Sequence, residues 1–197
     1  MVVAQHVAVA EVTRRLSGRL SDDAVGAVAA QFAAGEVELA SSALLLGLVA
    51  EQVAVTAAEA VLIRGIVDDP NDPVFAEVPH ADLAPPPAHR FSPTGPPEAP
   101  DPAGADHVLA AEAALVGARR VRRAWREPLP DAPHPPAWVY LVQVAPEVDE
   151  LRATAALRAK LWVRRQEKWP IEVVADGGLL PPYHAAAVTA ARQIWSS

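Results

Sequence analysis

Along the first seventy residues apolar positions recur every three or four residues, the spacing of one helical face. The segment "VAVAEVTRRL" (7–16) runs up to Gly18. Ser21 with Asp22 and Asp23 then supplies an N-cap and an acidic first turn for a helix heading toward Gly35, a natural C-terminal stop. A third segment, "EVELASSALLLGLVAEQ" (36–52), places apolar residues at 37, 44, 45 and 48, and Thr56 with Glu59 forms a T-x-x-E capping box before "AEAVLIRGIV". The pattern predicts about four short helices joined by short connections, a small orthogonal bundle or a helical hairpin pair whose core is Val, Leu and Phe32.

The second half changes period. "AWVYLVQV" (137–144) is a β-branched and aromatic run bounded by prolines, and "PIEVVAD" (170–176) is a second one closed by Gly177 and Gly178; both read as buried strands. Between them "EVDELRATAALRAKLWVRRQEK" keeps helical spacing at 148, 151, 155, 158, 161 and 162, with Arg158 the one polar exception, acids in its first turn and bases in its last, as the helix dipole favours. Strand, helix and strand over this length predict a crossover between parallel neighbours.

"GARRVRRAWREP" (117–128) admits two readings. As a helix, Val108, Ala111, Leu115, Ala118, Val121 and Trp125 form one stripe. As a strand, Val121 and Trp125 share a face with Arg119 and Arg123, and Arg120, Arg122 and Arg126 take the other. Gly117 favours ending the helix "DHVLAAEAALV" there and starting a strand that turns back through "PLPDAPHPPA" into "WVYLVQV". Proline separates the halves: eleven of the twenty prolines fall between Pro70 and Pro102, and proline fixes φ and lacks the donor that helices and inner strands need. The expected organisation is α+β: a helical domain over 1–69, a proline-rich arm over 70–104, which "VFAEV", Leu83 and Phe91 can anchor, and a small α/β sandwich of order α-β-β-α-β-α over 105–197.

Charge sharpens this division. Residues 1–104 carry fourteen acids against five arginines, net −9, and residues 105–197 carry ten acids against twelve bases, net +2, within a whole of −7. A chain without cysteine has no disulfides, thiolate nucleophiles or cysteine-based metal sites. The opening residues lack the basic and small-residue features of a signal peptide, and the longest charge-free apolar run is the twelve residues 39–50, too short to span a bilayer. These features predict a soluble, cytoplasmic protein.

The order of elements in the second half, with Val121 to Ala124 in a first strand, Tyr140 to Val144 in a second, an acidic helix start at Glu147 to Leu151, Ile171 to Val174 in a third strand and Leu180 to Tyr183 opening the tail, resembles the C-terminal domain of the SseB (enhanced serine sensitivity) family. The whole chain, including "LPPYHAAAVTAARQIW", is also similar to proteins encoded in high-GC bacterial genomes. The SseB resemblance implies an interaction module and no reaction.

Phosphate-binding glycine loops, nucleophile elbows and zinc-protease motifs do not occur in the sequence. "DGG" (176–178) reads as a tight turn, "DDPNDP" (68–73) as a helix stop with Asx turns, and His80, Asp82 and His89 as surface residues of the arm, so no metal or cofactor is expected. Trp138 and Trp162 are expected in the core, and Trp125, Trp169 and Trp195 near element ends, half exposed. The expected partner-binding residues are Arg119, Arg120, Arg122, Arg123, Trp125 and Arg126, because Arg and Trp dominate binding hot spots and Arg clamps carboxylates bidentately. A solvated strand face, an acidic protein surface and nucleic acid all compete for this cluster, and nucleic acid is disfavoured by a pI near 5.3. The reading is a non-catalytic protein-binding module, one form of which is an acidic immunity or neutralising protein. The alternatives are a nucleic-acid-associated regulator and an enzyme using Asp131, Glu172 or Asp176 near strand ends.

Overall fold

The structure, a computed structural model, describes residues 2–67, 69, 72–130, 132 and 134–197, with side chains from Gln5 onward. It divides into two compact units, Met1–Pro87 and Ala88–Ser197. Among the described residues there are eight α-helices and one mixed sheet of five strands, which is the α+β class.

The first unit contains α1 (Val2–Leu16), α2 (Asp22–Ala33), α3 (Val37–Ala50), α4 (Ala57–Arg64) and α5 (Pro73–Glu77). Its helix ends follow the local chemistry. The Ser21 side chain accepts from the Ala24 amide at 3.1 Å, and Gly35 takes φ +85° after α2. Thr56 and Glu59 form the reciprocal capping box at 3.3 and 2.8 Å. Glu59 is buried and also accepts from Arg19 at 2.7 Å, which ties the loop after α1 to the start of α4. Val9, Val12, Leu16, Leu44, Leu48 and Ile63 fill the core.

The second unit is β1 (His89–Ser92), α6 (Ala103–Ala113), β2 (Ala118–Pro128), β3 (Ala137–Val144), α7 (Glu150–Arg165), β4 (Ile171–Ala175), α8 (Pro182–Ala190) and β5 (Arg192–Ser196). β2 and β3 pair antiparallel and β3 and β4 parallel. On its other edge β2 is flanked by two short antiparallel strands, β1 along 125–128 and β5 along 120–123. Apolar side chains of α6 and α7 pack with Val121, Trp125, Trp138, Tyr140, Val142 and Val173 on one face, and α8 packs on Ala124 and Leu141 on the other. Gly117, at φ +70°, turns the chain from a short 3₁₀ turn (Ala114–Val116) into β2, and a Cβ there would lie 2.7 Å from Val148.

Three expectations are corrected. Residues 70–104 are not one arm between two domains: α5 buries Phe75 within the first unit, and His89–Ser92 pairs with β2 in the second. Proline is compatible with both, because Pro73 begins α5 and β1 is an edge strand flanked by prolines. The tail is a helix followed by a strand, since β2 offers an edge that "RQIWS" pairs with. Trp162 lies outside the core and is 44% exposed, while Leu157 and Leu161, one turn apart, take the inward phase of α7.

Candidate interaction surface

β2 sorts the arginines of "RRVRRAWR" by the two-residue alternation of a strand. Toward α6 and α7 project Val121, Arg123 and Trp125. Arg123 is buried: its Nη1 pairs with the Asp106 carboxylate of α6, and its guanidinium lies 4.4 Å from the centre of the Trp138 ring. Trp125 meets Trp138 edge to face with centroids 5.1 Å apart, and Trp138 Nε1 donates to the Pro100 carbonyl at 2.7 Å. Asp106 also accepts from the Tyr140 hydroxyl at 2.8 Å. Burial first, and then the Asp106 charge, push the Tyr140 hydroxyl well above the ordinary tyrosine value. This constellation joins α6 to the sheet.

On the opposite face Arg126 is fully buried, donating to the Tyr183 hydroxyl of α8 at 3.1 Å and to the Pro135 carbonyl at 3.3 Å. Arg123, Trp125 and Arg126 therefore do not form a solvent-facing patch, contrary to the expected outward display of Arg126. The reason is topological: β2 is the central strand, with helices on both faces and neighbours on both edges. Glu172 of β4 and His184 of α8 are also buried, with Oε2 and Nε2 3.0 Å apart, an internal brace between the two elements. His89, expected at the surface, is buried and stacked on the buried His134 with ring centroids 5.2 Å apart. Asp131 lies outside the described residues.

Two arginines remain at the surface. The side chains of Arg119 and Arg120 are 51% and 44% exposed, and both approach the same carboxylate, Asp176 at the end of β4, at 3.6 and 3.4 Å. Asp176 Oδ1 also accepts from Gln143 Nε2 at 3.4 Å, and Gln143 Oε1 accepts from Arg122. Asp176, marked in the sequence as a strand-end acid, is thus the anchor of the surface arginines. Gln143 had one signal available, as the one polar residue of "AWVYLVQV" without an aromatic ring. Asp106 had none, being seventeen residues from Arg123 on a different element.

No helix among the described residues is long and apolar enough to cross a membrane. No family model, curated protein or solved structure matches the chain.

Proposed function

We propose that the protein is a non-catalytic, cytoplasmic interaction module that holds an acidic protein surface through Arg119 and Arg120, with Arg122 behind them. One observation carries this reading: two half-exposed guanidinium groups share a single carboxylate at more than 3.3 Å. Each has five N–H donors, so the cluster retains positive charge and donor capacity for a partner's carboxylates. The resemblance to the SseB C-terminal domain supports the same reading. The net charge of −8 on residues 1–87, twelve acids against four arginines, suits a neutralising role toward a basic partner at a second face.

The test is the double variant Arg119→Glu, Arg120→Glu, measured by titration calorimetry against the product of the adjoining reading frame. Arg126 is left intact, because reversing a buried cation destabilises the fold instead of reporting on binding. The expected outcome is an unchanged melting temperature and at least about a tenfold loss of affinity, the equivalent of one charge-assisted contact. Unchanged affinity rejects the arginine face. Retention of a single-stranded oligonucleotide at low salt, lost in the double variant, replaces the protein partner with nucleic acid.

A further inference from the structure

Beyond the arginine face, two helices carry matching outward stripes. On α3, Leu39, Ala43, Leu46 and Ala50 follow i, i+4, i+7, i+11 spacing, and Leu39 and Leu46 are 53% and 59% exposed. On α7, Arg152, Ala156, Ala159 and Val163 repeat that spacing, with Val163 74% exposed and Trp162 beside it. A single exposed leucine is ordinary at a protein surface. Alternating steps of four and three over three turns, on two helices, form the seam of a helix pair.

The two stripes are complementary in size and charge. Set antiparallel, Leu39 faces Val163, Ala43 faces Ala159, Leu46 faces Ala156 and Ala50 faces the stem of Arg152, so each leucine meets a smaller side chain. Ala156 and Arg152 also line a groove of about 420 Å³ with Leu115 and Val148, which gives Leu46 a place to enter. The antiparallel direction brings Glu36 and Glu38, at the start of α3, to the end of α7. There the bases Arg158, Lys160, Arg164, Arg165 and Lys168 outnumber the acids beside them, Glu167, which pairs with Arg165 at 3.3 Å, and Glu112 of α6, which pairs with Lys160 at 3.5 Å. Favourable helix-dipole placement accounts for bases in the last turn of α7. It gives no reason for Val163 and Trp162 to face water there.

We infer that α3 of one copy of this chain docks antiparallel on α7 of a second copy, so that the protein associates with itself through an acidic stripe and a basic one. Each copy carries one stripe of each kind. The contact is therefore heterologous in its elements, and it closes into a dimer when it forms reciprocally.

Two variants separate the stripes: Leu46→Asp damages α3 alone and Val163→Asp damages α7 alone, both at exposed positions that leave the cores untouched. Circular dichroism checks that each folds. Sedimentation velocity from about 1 to about 100 µM measures association, which is concentration-dependent by mass action. The wild type is expected to self-associate, and each variant alone to do so at least about thirtyfold more weakly, the effect of removing a central apolar anchor. An equimolar mixture of the two variants should recover a mixed complex, since it retains one intact α3 and one intact α7. Association of the wild type should also weaken as salt rises from about 50 to about 500 mM, through screening of the rim charges. A wild type that stays monomeric over the whole range, association insensitive to both substitutions, or a mixture that fails to recover overturns the pairing. Neither substitution touches Arg119 or Arg120, so this result is independent of the arginine-face test.

Discussion

Arginine in this chain does two jobs, and neighbours of identical type are separated by where the backbone points them. Arg123 and Arg126 are internal, held by Asp106, Tyr183 and the Pro135 carbonyl, whereas Arg119 and Arg120 reach solvent beside Asp176. The alternation was readable from Val121 onward, with Val121, Arg123 and Trp125 on one face and Arg122 and Arg126 on the other; Arg119, expected on the Val121 face, instead reaches the same Asp176 carboxylate as Arg120, where the pairing register slips between Ala118 and Arg120. Burial was not readable, because it depends on α8 reaching back over Arg126 from fifty-seven residues away. The Asp106–Tyr140–Arg123 constellation makes a pH-dependent prediction. The folded state holds the Tyr140 proton above the ordinary tyrosine value, so its contribution to stability is complete below the unfolded value of about 10 and is lost as pH rises beyond it. Tyr140→Phe cannot ionise. Its melting temperature should fall less steeply than that of the wild type between about pH 9.5 and about pH 11. Parallel curves for the two proteins contradict this assignment.

At the scale of elements, local signals performed well where the cause was local. The Thr56–Glu59 capping box, the Ser21 cap, the Gly117 turn and the β3–α7–β4 crossover are written in a few adjacent residues each, and they occur where the pattern places them. β1 and β5 escaped because a short edge strand is defined by what it pairs with. "HRFS" stands in a proline-rich setting and "RQIWS" follows an alanine-rich helix; neither has a strong strand signature, and both form because β2 is longer than either. The two edges differ in what they bury. Trp138 on β3 is nearly inaccessible, with its indole N–H bonded to Pro100 and Arg123 over its ring, while Trp195 on β5 is only partly buried against the core. Trp138→Ala should therefore cost about 3–5 kcal/mol and Trp195→Ala roughly 1–2 kcal/mol, in proportion to the contacts and apolar area removed. Equal losses in urea denaturation would mean that β5 is as much a part of the folding core as β3.

For the whole molecule, the informative quantity is where the chain changes allegiance. Proline content alone marks a broad zone, 70–104, because it registers every place where helix and inner strand are disfavoured. Packing divides that zone at Pro87. Before it, Phe75 and Val78 are buried in the first unit and the Val55–His80 bridge holds the segment after α5. After it, His89–Ser92 pairs with β2, and the Gly95–Ala99 turn and Pro100 close over Trp138. Between these attachments lie Asp82 to Pro86, exposed and without regular structure, with Leu83 the one large apolar residue among them. Proteases need a segment that can be drawn into an extended, accessible conformation, and buried or paired backbone resists this. Thermolysin, which cuts before bulky apolar residues, should therefore cleave first at the Asp82–Leu83 bond, leaving Phe91 intact although it stands in the same proline-rich zone. The two fragments should separate by charge, since residues 1–87 carry net −8 and residues 88–197 net +1 from thirteen bases and twelve acids. Each should melt cooperatively on its own. Early cleavage before Phe91, with Leu83 protected, would place the division within β1 and contradict its pairing with β2.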